Sequence, residues 1–154
     1  MKSSLNINQL SSKRSFNING YLFEYEKPLV MGILNMTPDS FYDGGKYNSI
    51  DSAISRVEAM INNGASIIDI GGCSTRPGSD IITIEEEWKR VGGIIKECSI
   101  RFKDTLFSVD TFRSEIARRS LEEGIHIIND VSGGSLDSET VSYTHLTLPT
   151  KRIV

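Results

Sequence analysis

Cysteine is scarce in this 154-residue chain, which has two, Cys73 and Cys98, at no CxxC spacing. So few thiols build neither a disulfide framework nor a zinc site, and they fit a reducing, cytoplasmic compartment. Positive charge is scarce as well. With 17 Lys and Arg against 20 Asp and Glu, the formal net charge is −3 and the pI is near 5.4. That balance argues against nucleic-acid or anionic-membrane partners, because phosphate surfaces are met by clustered Lys and Arg. No apolar run approaches the roughly 18 to 20 residues that span a bilayer. What is present, 38% hydrophobic and 24% charged residues, suits one soluble globular domain with a real core. Small-molecule chemistry is the class of function these bounds favour.

Residues 1 to 20 carry Lys2, Lys13 and Arg14, five serines and no acid. Organelle transit peptides share that composition, but a short disordered extension over residues 1–14 is the plainer expectation, and without an apolar stretch it is no secretory signal. FNINGYLFEYE then places β-type runs on either side of Asn19-Gly20, a dipeptide suited to a type I′ turn, so a hairpin is expected over 15–27.

From Pro28 onward the pattern alternates. Apolar strand candidates at 29–35 (LVMGILN), 66–70 (SIIDI), 106–110 (LFSVD) and 125–129 (IHIIN) are separated by helical segments. The first helix follows Ser49, with Ile50, Ala53, Ile54, Val57 and Ile61 on one face and Gly64 as its stop. The second opens on Thr83 and Glu86, a capping box, and buries Trp88, Val91 and Ile95. The third starts at Thr111, buries Ile116 and Leu121, and stops at Gly124. Near-continuous apolar strands alternating with amphipathic helices predict βαβ crossovers and a parallel sheet covered by helices, an α/β fold.

Each apolar strand runs into polar residues: Asn35 after VMGIL, Asp69 before GG, Asp110 after LFSV, and Asn129-Asp130 after IHII. One such ending is as readily a helix cap or a turn. Four of them are better read as a site, because the C-terminal strand ends of a parallel α/β sheet lie on one face, where ligands bind.

The loop GGCSTRPG, residues 71–78, lacks the spacing and lysine of a P-loop and is not GxGxxG. Its glycines allow close backbone approach, Ser74 and Thr75 offer hydroxyls, and Arg76 offers a planar fork for phosphate oxygens. Alone it is as well read as a surface turn. Asp110 is an acceptor for a ligand's N–H edge, and Asn129 can both donate and accept, a pair better matched to an aminopyrimidinone ring than to a metal. His126, at the edge of a buried run, is read as a packing residue.

MGILNMTPDSFYDGG, IIDIGGCSTRPG, FSVDT and IINDVSGG, in this order and spacing, resemble the dihydropteroate synthase family over about residues 28 to 137. Each string alone is weak, and the joint occurrence of NMTPDSF and STRPG is specific. The resemblance implies a TIM-type (β/α)8 barrel of which about four βα units are present, over 28–140. It implies a transferase of folate biosynthesis, and a sulfonamide target, that joins 4-aminobenzoate to 6-hydroxymethyl-7,8-dihydropterin diphosphate, giving 7,8-dihydropteroate and pyrophosphate. Carried over by motif, Asn35 ligates Mg2+ on the pyrophosphate, and Thr75 and Arg76 hold the pyrophosphate. Asp110 and Asn129, with Val131 beside them, bind the pterin. Phe41, Asp43 and Pro77 help form the aminobenzoate pocket. Arg76, Asp110 and Asn129 are the expected catalytic residues. The family also implies a homodimer at full length.

Two departures stand out. Cys73 replaces the Glu that more often precedes STRPG in the family. The strands also supply half of a barrel that needs about 250 residues, so the family's later lysine, arginine, histidine and second pterin-binding aspartate have no counterpart here. After about Thr140 the text VSYTHLTLPTKRIV has β-favouring residues and Pro149, and residues 141–154 are read as a non-native tail. The 154-residue chain is therefore expected to be inactive alone. Alternative readings are another pterin-binding barrel of the methyltetrahydrofolate methyltransferase type, which has no need of a pyrophosphate loop, and a non-catalytic pterin-binding module.

Overall fold

The structure is a computed structural model and describes residues 14–18, 21–37, 49–73 and 82–146. Strands β1 (Arg14–Ile18) and β2 (Tyr21–Tyr25) pair antiparallel, with Ile18 opposite Tyr21. That register leaves Asn19-Gly20 as the connection, a dipeptide outside the described residues. Phe16 packs on Phe23 with ring centroids 5.1 Å apart and meets Tyr25 edge-on at 5.7 Å, cross-strand aromatic contacts that hold a short hairpin.

Four parallel strands follow in the order β3 (Met31–Asn35), β4 (Ile67–Gly71), β5 (Leu106–Asp110) and β6 (Ile127–Asn129). Between them run α1 (Ser49–Asn62), α2 (Ile84–Arg101) and α3 (Ser114–Glu122), so the βαβ reading holds. The strands are apolar because one face packs under helices. Leu34, Ile68, Ile70, Phe107, Val109 and Ile128 are buried together with Ala53, Ile54 and Val57 of α1, Val91, Ile94 and Ile95 of α2, and Ile116 and Ala117 of α3. Strand alternation then turns Asn35, Asp69, Gly71, Ser108, Asp110 and Asn129 to the opposite face. Sequence thus fixes which residues line the second face by fixing which ones fill the core.

The helix signals hold with two differences. Thr83 Oγ1 accepts from Glu86 N at 3.2 Å as an N-cap, but the Glu86 carboxylate bonds forward to Arg90 at 3.2 Å. The third helix begins at Ser114, three residues later than Thr111. The Thr111 hydroxyl serves other partners: it donates to Glu87 at 2.9 Å and accepts from Arg113 N at 3.2 Å. The helix start is capped from further along the chain, where Asp137 Oδ2 accepts from Ser114 N at 2.8 Å. A 3-10 helix over Ser138–Leu146 follows that aspartate, and Thr140 on it donates to Phe112 O at 3.2 Å.

Candidate active site

The C-terminal ends of the four strands form one register line. Asn35 pairs with Gly71, Gly71 with Asp110, and Asp110 with Asn129. The backbone is tied on past these residues: Met36 N donates to Gly71 O at 2.7 Å, and Thr111 N donates to Asn129 O at 3.2 Å. A side chain in such a row is carried by rigid sheet, which suits a preorganised site.

Gly71 matters for its missing side chain. A Cβ there would lie 3.5 Å from Asn35 Oδ1 and 3.5 and 3.6 Å from Cβ and Oδ2 of Asp110. Glycine therefore leaves a gap between the Asn35 amide and the Asp110 carboxylate.

Asp69 does not stand at a strand end as the sequence reading placed it. Strand β4 runs on to Gly71, so Asp69 lies one row deeper, opposite Ile33 and Ser108. It is 3% exposed, and its Oδ2 accepts from Asn129 Nδ2 at 3.0 Å across the intervening β5. Asp69 Oδ1, Ser108 Oγ and Asp110 Oδ1 are buried with no hydrogen-bond partner among the described residues. Three unsatisfied oxygens on one face are costly to bury unless donors from a ligand or from bound water meet them.

Asp110 carries the electrostatic signature of such a place. Burial, followed by the negative charges of Asp69, Glu87 and Asp130, pushes its carboxyl from 3.8 up to about 6. Behind it, Glu87 of α2 is buried and accepts both the Thr111 hydroxyl and Arg113 Nη1 at 2.9 Å. Burial raises the Glu87 carboxyl, with Thr111 and Arg113 opposing. Arg113 also donates to Ile82 O, and Arg90 donates to Gly72 O at 3.1 Å, so two arginines hold the chain on either side of residues 74–81.

Of the expected site residues, the structure brings Asn35, Asp110 and Asn129 into one row. Val131 lies just beyond β6 and is 65% exposed. Phe41, Asp43, Thr75, Arg76 and Pro77 lie outside the described residues. Asp130 is a turn residue: its carboxylate accepts from Ser132 N and Gly134 N, each at 2.8 Å. His126 Nδ1 accepts from Phe107 N at 3.1 Å, and burial lowers its pKa, consistent with a structural role. Cys73 and Cys98 form no disulfide with each other, and burial pushes Cys98 up to about 12.

Sequence reasoning missed Asp69 as the partner of Asn129, and missed Glu87 altogether. A signal existed for the first, since strand period two puts Asp69 on the same face as Gly71. Glu87 is one of three consecutive acids at 85–87, and its place four residues before Val91, on the stripe of Ile94, Ile95 and Cys98, was the signal that it is the buried one.

Residues 31–146 match the family model described as pterin binding enzyme. The chain belongs to the pterin-binding enzyme family. Within that family it is 48% identical over 126 residues to a dihydropteroate synthase of Clostridium beijerinckii, a match that covers 82% of this chain and 44% of the relative. Among solved structures it resembles Xanthomonas albilineans dihydropteroate synthase with 4-aminobenzoic acid, with a TM-score of 0.76, 35% identity, and coverage of 84% of this chain and 48% of that one. It also resembles Yersinia pestis dihydropteroate synthase in a sulfonamide drug complex, with a TM-score of 0.72, 38% identity, and coverage of 84% and 46%. The chain thus spans less than half the length of these relatives. Its four strands and their helices are part of the TIM-type (β/α)8 barrel expected from the sequence. Among the described residues no helix is long and apolar enough to cross a membrane.

Proposed function

We propose that the protein to which this chain belongs is a dihydropteroate synthase. It joins 6-hydroxymethyl-7,8-dihydropterin diphosphate to 4-aminobenzoate, giving 7,8-dihydropteroate and pyrophosphate. The observation that carries this reading is the row Asn35, Gly71, Asp110 and Asn129, in which an Asp110 oxygen, buried and unbonded among the described residues, stands beside a carboxamide. A carboxylate next to a carboxamide suits the amino and ring N–H edge of a pterin.

In the reaction, the aromatic amine forms a C–N bond to the pterin methylene. The C–O bond to diphosphate breaks, its electron pair leaves with pyrophosphate, and the amine gives up one proton. Asp110 and Asn129 orient the ring, and Asp110 faces the positive character that develops on the pterin as the bond breaks. Thr75 and Arg76 hold the leaving group, where charge accumulates as the transition state forms. Phe41, Asp43 and Pro77 shape the aminobenzoate pocket and exclude water that would compete for the methylene. The neutral arylamine needs no strong base.

Asn35 fits a Mg2+ ligand. Among the described residues no three His, Cys, Asp or Glu side chains converge as a metal site. Mg2+, which takes most of its oxygens from water and phosphate, needs little more than one such carboxamide oxygen beside the diphosphate. When bound, the ion supplies neutralisation of the leaving group's charge. Sulfonamides would compete with aminobenzoate, and the whole protein would be a cytoplasmic homodimer.

The test is aminobenzoate-dependent pyrophosphate release by the protein that contains this chain. Asp110→Ala and Asn129→Ala lower kcat/KM by about 100-fold or more, the scale of losing a polar anchor to a charged or amide group. Unaltered turnover in both variants would remove the reading.

A further inference from the structure

Asn129 is an ambiguous reader on its own. Its carboxamide presents an acceptor oxygen on one side and two N–H donors on the other, and rotation by half a turn exchanges them. A site that distinguishes a donor edge from an acceptor edge needs that choice made before the ligand arrives.

The structure makes the choice through Asp69. Asp69 sits one row below the strand ends, is 3% exposed, and receives Asn129 Nδ2 at 3.0 Å. A carboxylate oxygen takes the amide nitrogen as its donor, and Nδ2 is the atom that faces it. Among the described residues, the second carboxylate oxygen, Asp69 Oδ1, is buried without a partner, and Ser108 Oγ, its register neighbour on β5, is likewise unbonded. The row beneath Asn129 therefore presents the Asp69 carboxylate as an acceptor, beside the Ser108 hydroxyl, which can donate or accept. Beside Asn129 in the row, Asp110 adds another acceptor.

We propose that Asp69 is a positioning residue that fixes the Asn129 carboxamide with its nitrogen inward, so that Asn129 Oδ1 and the Asp110 carboxylate select a ring edge with adjacent N–H donors. This rests on the pterin-binding reading above. Asp69 touches no substrate in this account and acts through Asn129. Ligands with the transposed edge, a ring acceptor where the pterin has N–H, meet oxygen against lone pair and are rejected.

The test uses the protein that contains this chain and its Asp69→Asn variant, which keeps shape and volume but can donate, so the Asn129 amide is free to turn. Two readouts are taken. The first is the 15N-correlated side-chain amide pair of Asn129, assigned by its disappearance in Asn129→Asp. In the wild type one proton of the pair is protected from exchange, and in Asp69→Asn that protection falls by about tenfold or more, as expected for a lost charge-assisted hydrogen bond. The second is the ratio of calorimetric Kd values for 2-amino-4-oxopteridine and its 4-amino-2-oxo isomer. The wild type prefers the first by roughly 100-fold, the scale on which a polar site rejects a mismatched edge, and Asp69→Asn brings the ratio to within about fivefold. A merely structural role would weaken both ligands together and leave the ratio alone, and that result overturns the proposal. If the wild type binds neither ring, the pterin-binding reading fails for this chain, and the amide exchange alone decides: an unprotected Asn129 pair in the wild type overturns the role of Asp69, and a protected pair lost in Asp69→Asn supports it.

Discussion

Glu87 and Arg113 form a buried ion pair at 2.9 Å directly behind the end of β5, and the same carboxylate accepts the Thr111 hydroxyl at 2.9 Å. The pair joins α2 to the residues between Asp110 and α3, and through Arg113 it reaches the backbone of Ile82. It is the brace on which the position of Asp110 depends.

Removing one half of that brace leaves an uncompensated buried charge. Glu87→Ala is expected to destabilise the fold by about 3 to 5 kcal/mol, whereas replacing Glu87 and Arg113 together with Met costs far less. Denaturant unfolding of the two single variants and the double variant checks this. Additive losses would show that the two groups do not act as a pair.

The two glycines after Ile70 respond differently to alanine. A Cβ at Gly72 would stand 2.7 Å from Val91 Cγ1 and 3.2 Å from Glu87 O, so Gly72→Ala forces α2 off the strand end and costs about 1 to 3 kcal/mol. At Gly71 the nearest atoms are at 3.5 Å, so Gly71→Ala keeps its stability but narrows the gap between Asn35 and Asp110 and weakens ligand binding. Thermal melts paired with ligand titrations separate the two effects. Equal destabilisation by both substitutions would contradict the account.

Asp110 makes the fold sensitive to pH in a stated direction. Its carboxyl holds a proton up to about pH 6 when folded, against an ordinary value of 3.8. As pH rises from 3.8 to 6 the unfolded chain ionises first, so this contribution to stability is present below that window and lost above it. Asp110→Asn should therefore melt a few degrees above the wild type at pH 7.5, with a smaller gap at pH 4. Gaps of equal size at both pH values would place the buried charge elsewhere.

Much of this was legible in the text of the chain. Runs such as VMGIL and LFSV are the short, mostly apolar stretches bounded by turn residues that mark parallel strands, and the four observed strands fall within one or two residues of them. The row of Asn35, Asp110 and Asn129 was legible for the same reason, since each ends its run. What escaped was set by contacts distant in sequence. Thr111 has the chemistry of an N-cap and would have capped α3, but Glu87, 24 residues earlier, takes its hydroxyl. Asp69 is bonded to Asn129, 60 residues later and two strands away. No local pattern specifies either partner, and both depend on how the sheet is ordered.

The account rests on the strand-end row as a pterin site, and calorimetric titration of the protein that contains this chain with 6-hydroxymethylpterin tests that most directly. One-to-one binding is expected, weakened at least about tenfold by Asp110→Ala, the loss of a charge-assisted hydrogen bond, with the thermal midpoint not lowered. Binding of equal strength in the variant, or none in the folded wild-type protein, would contradict it.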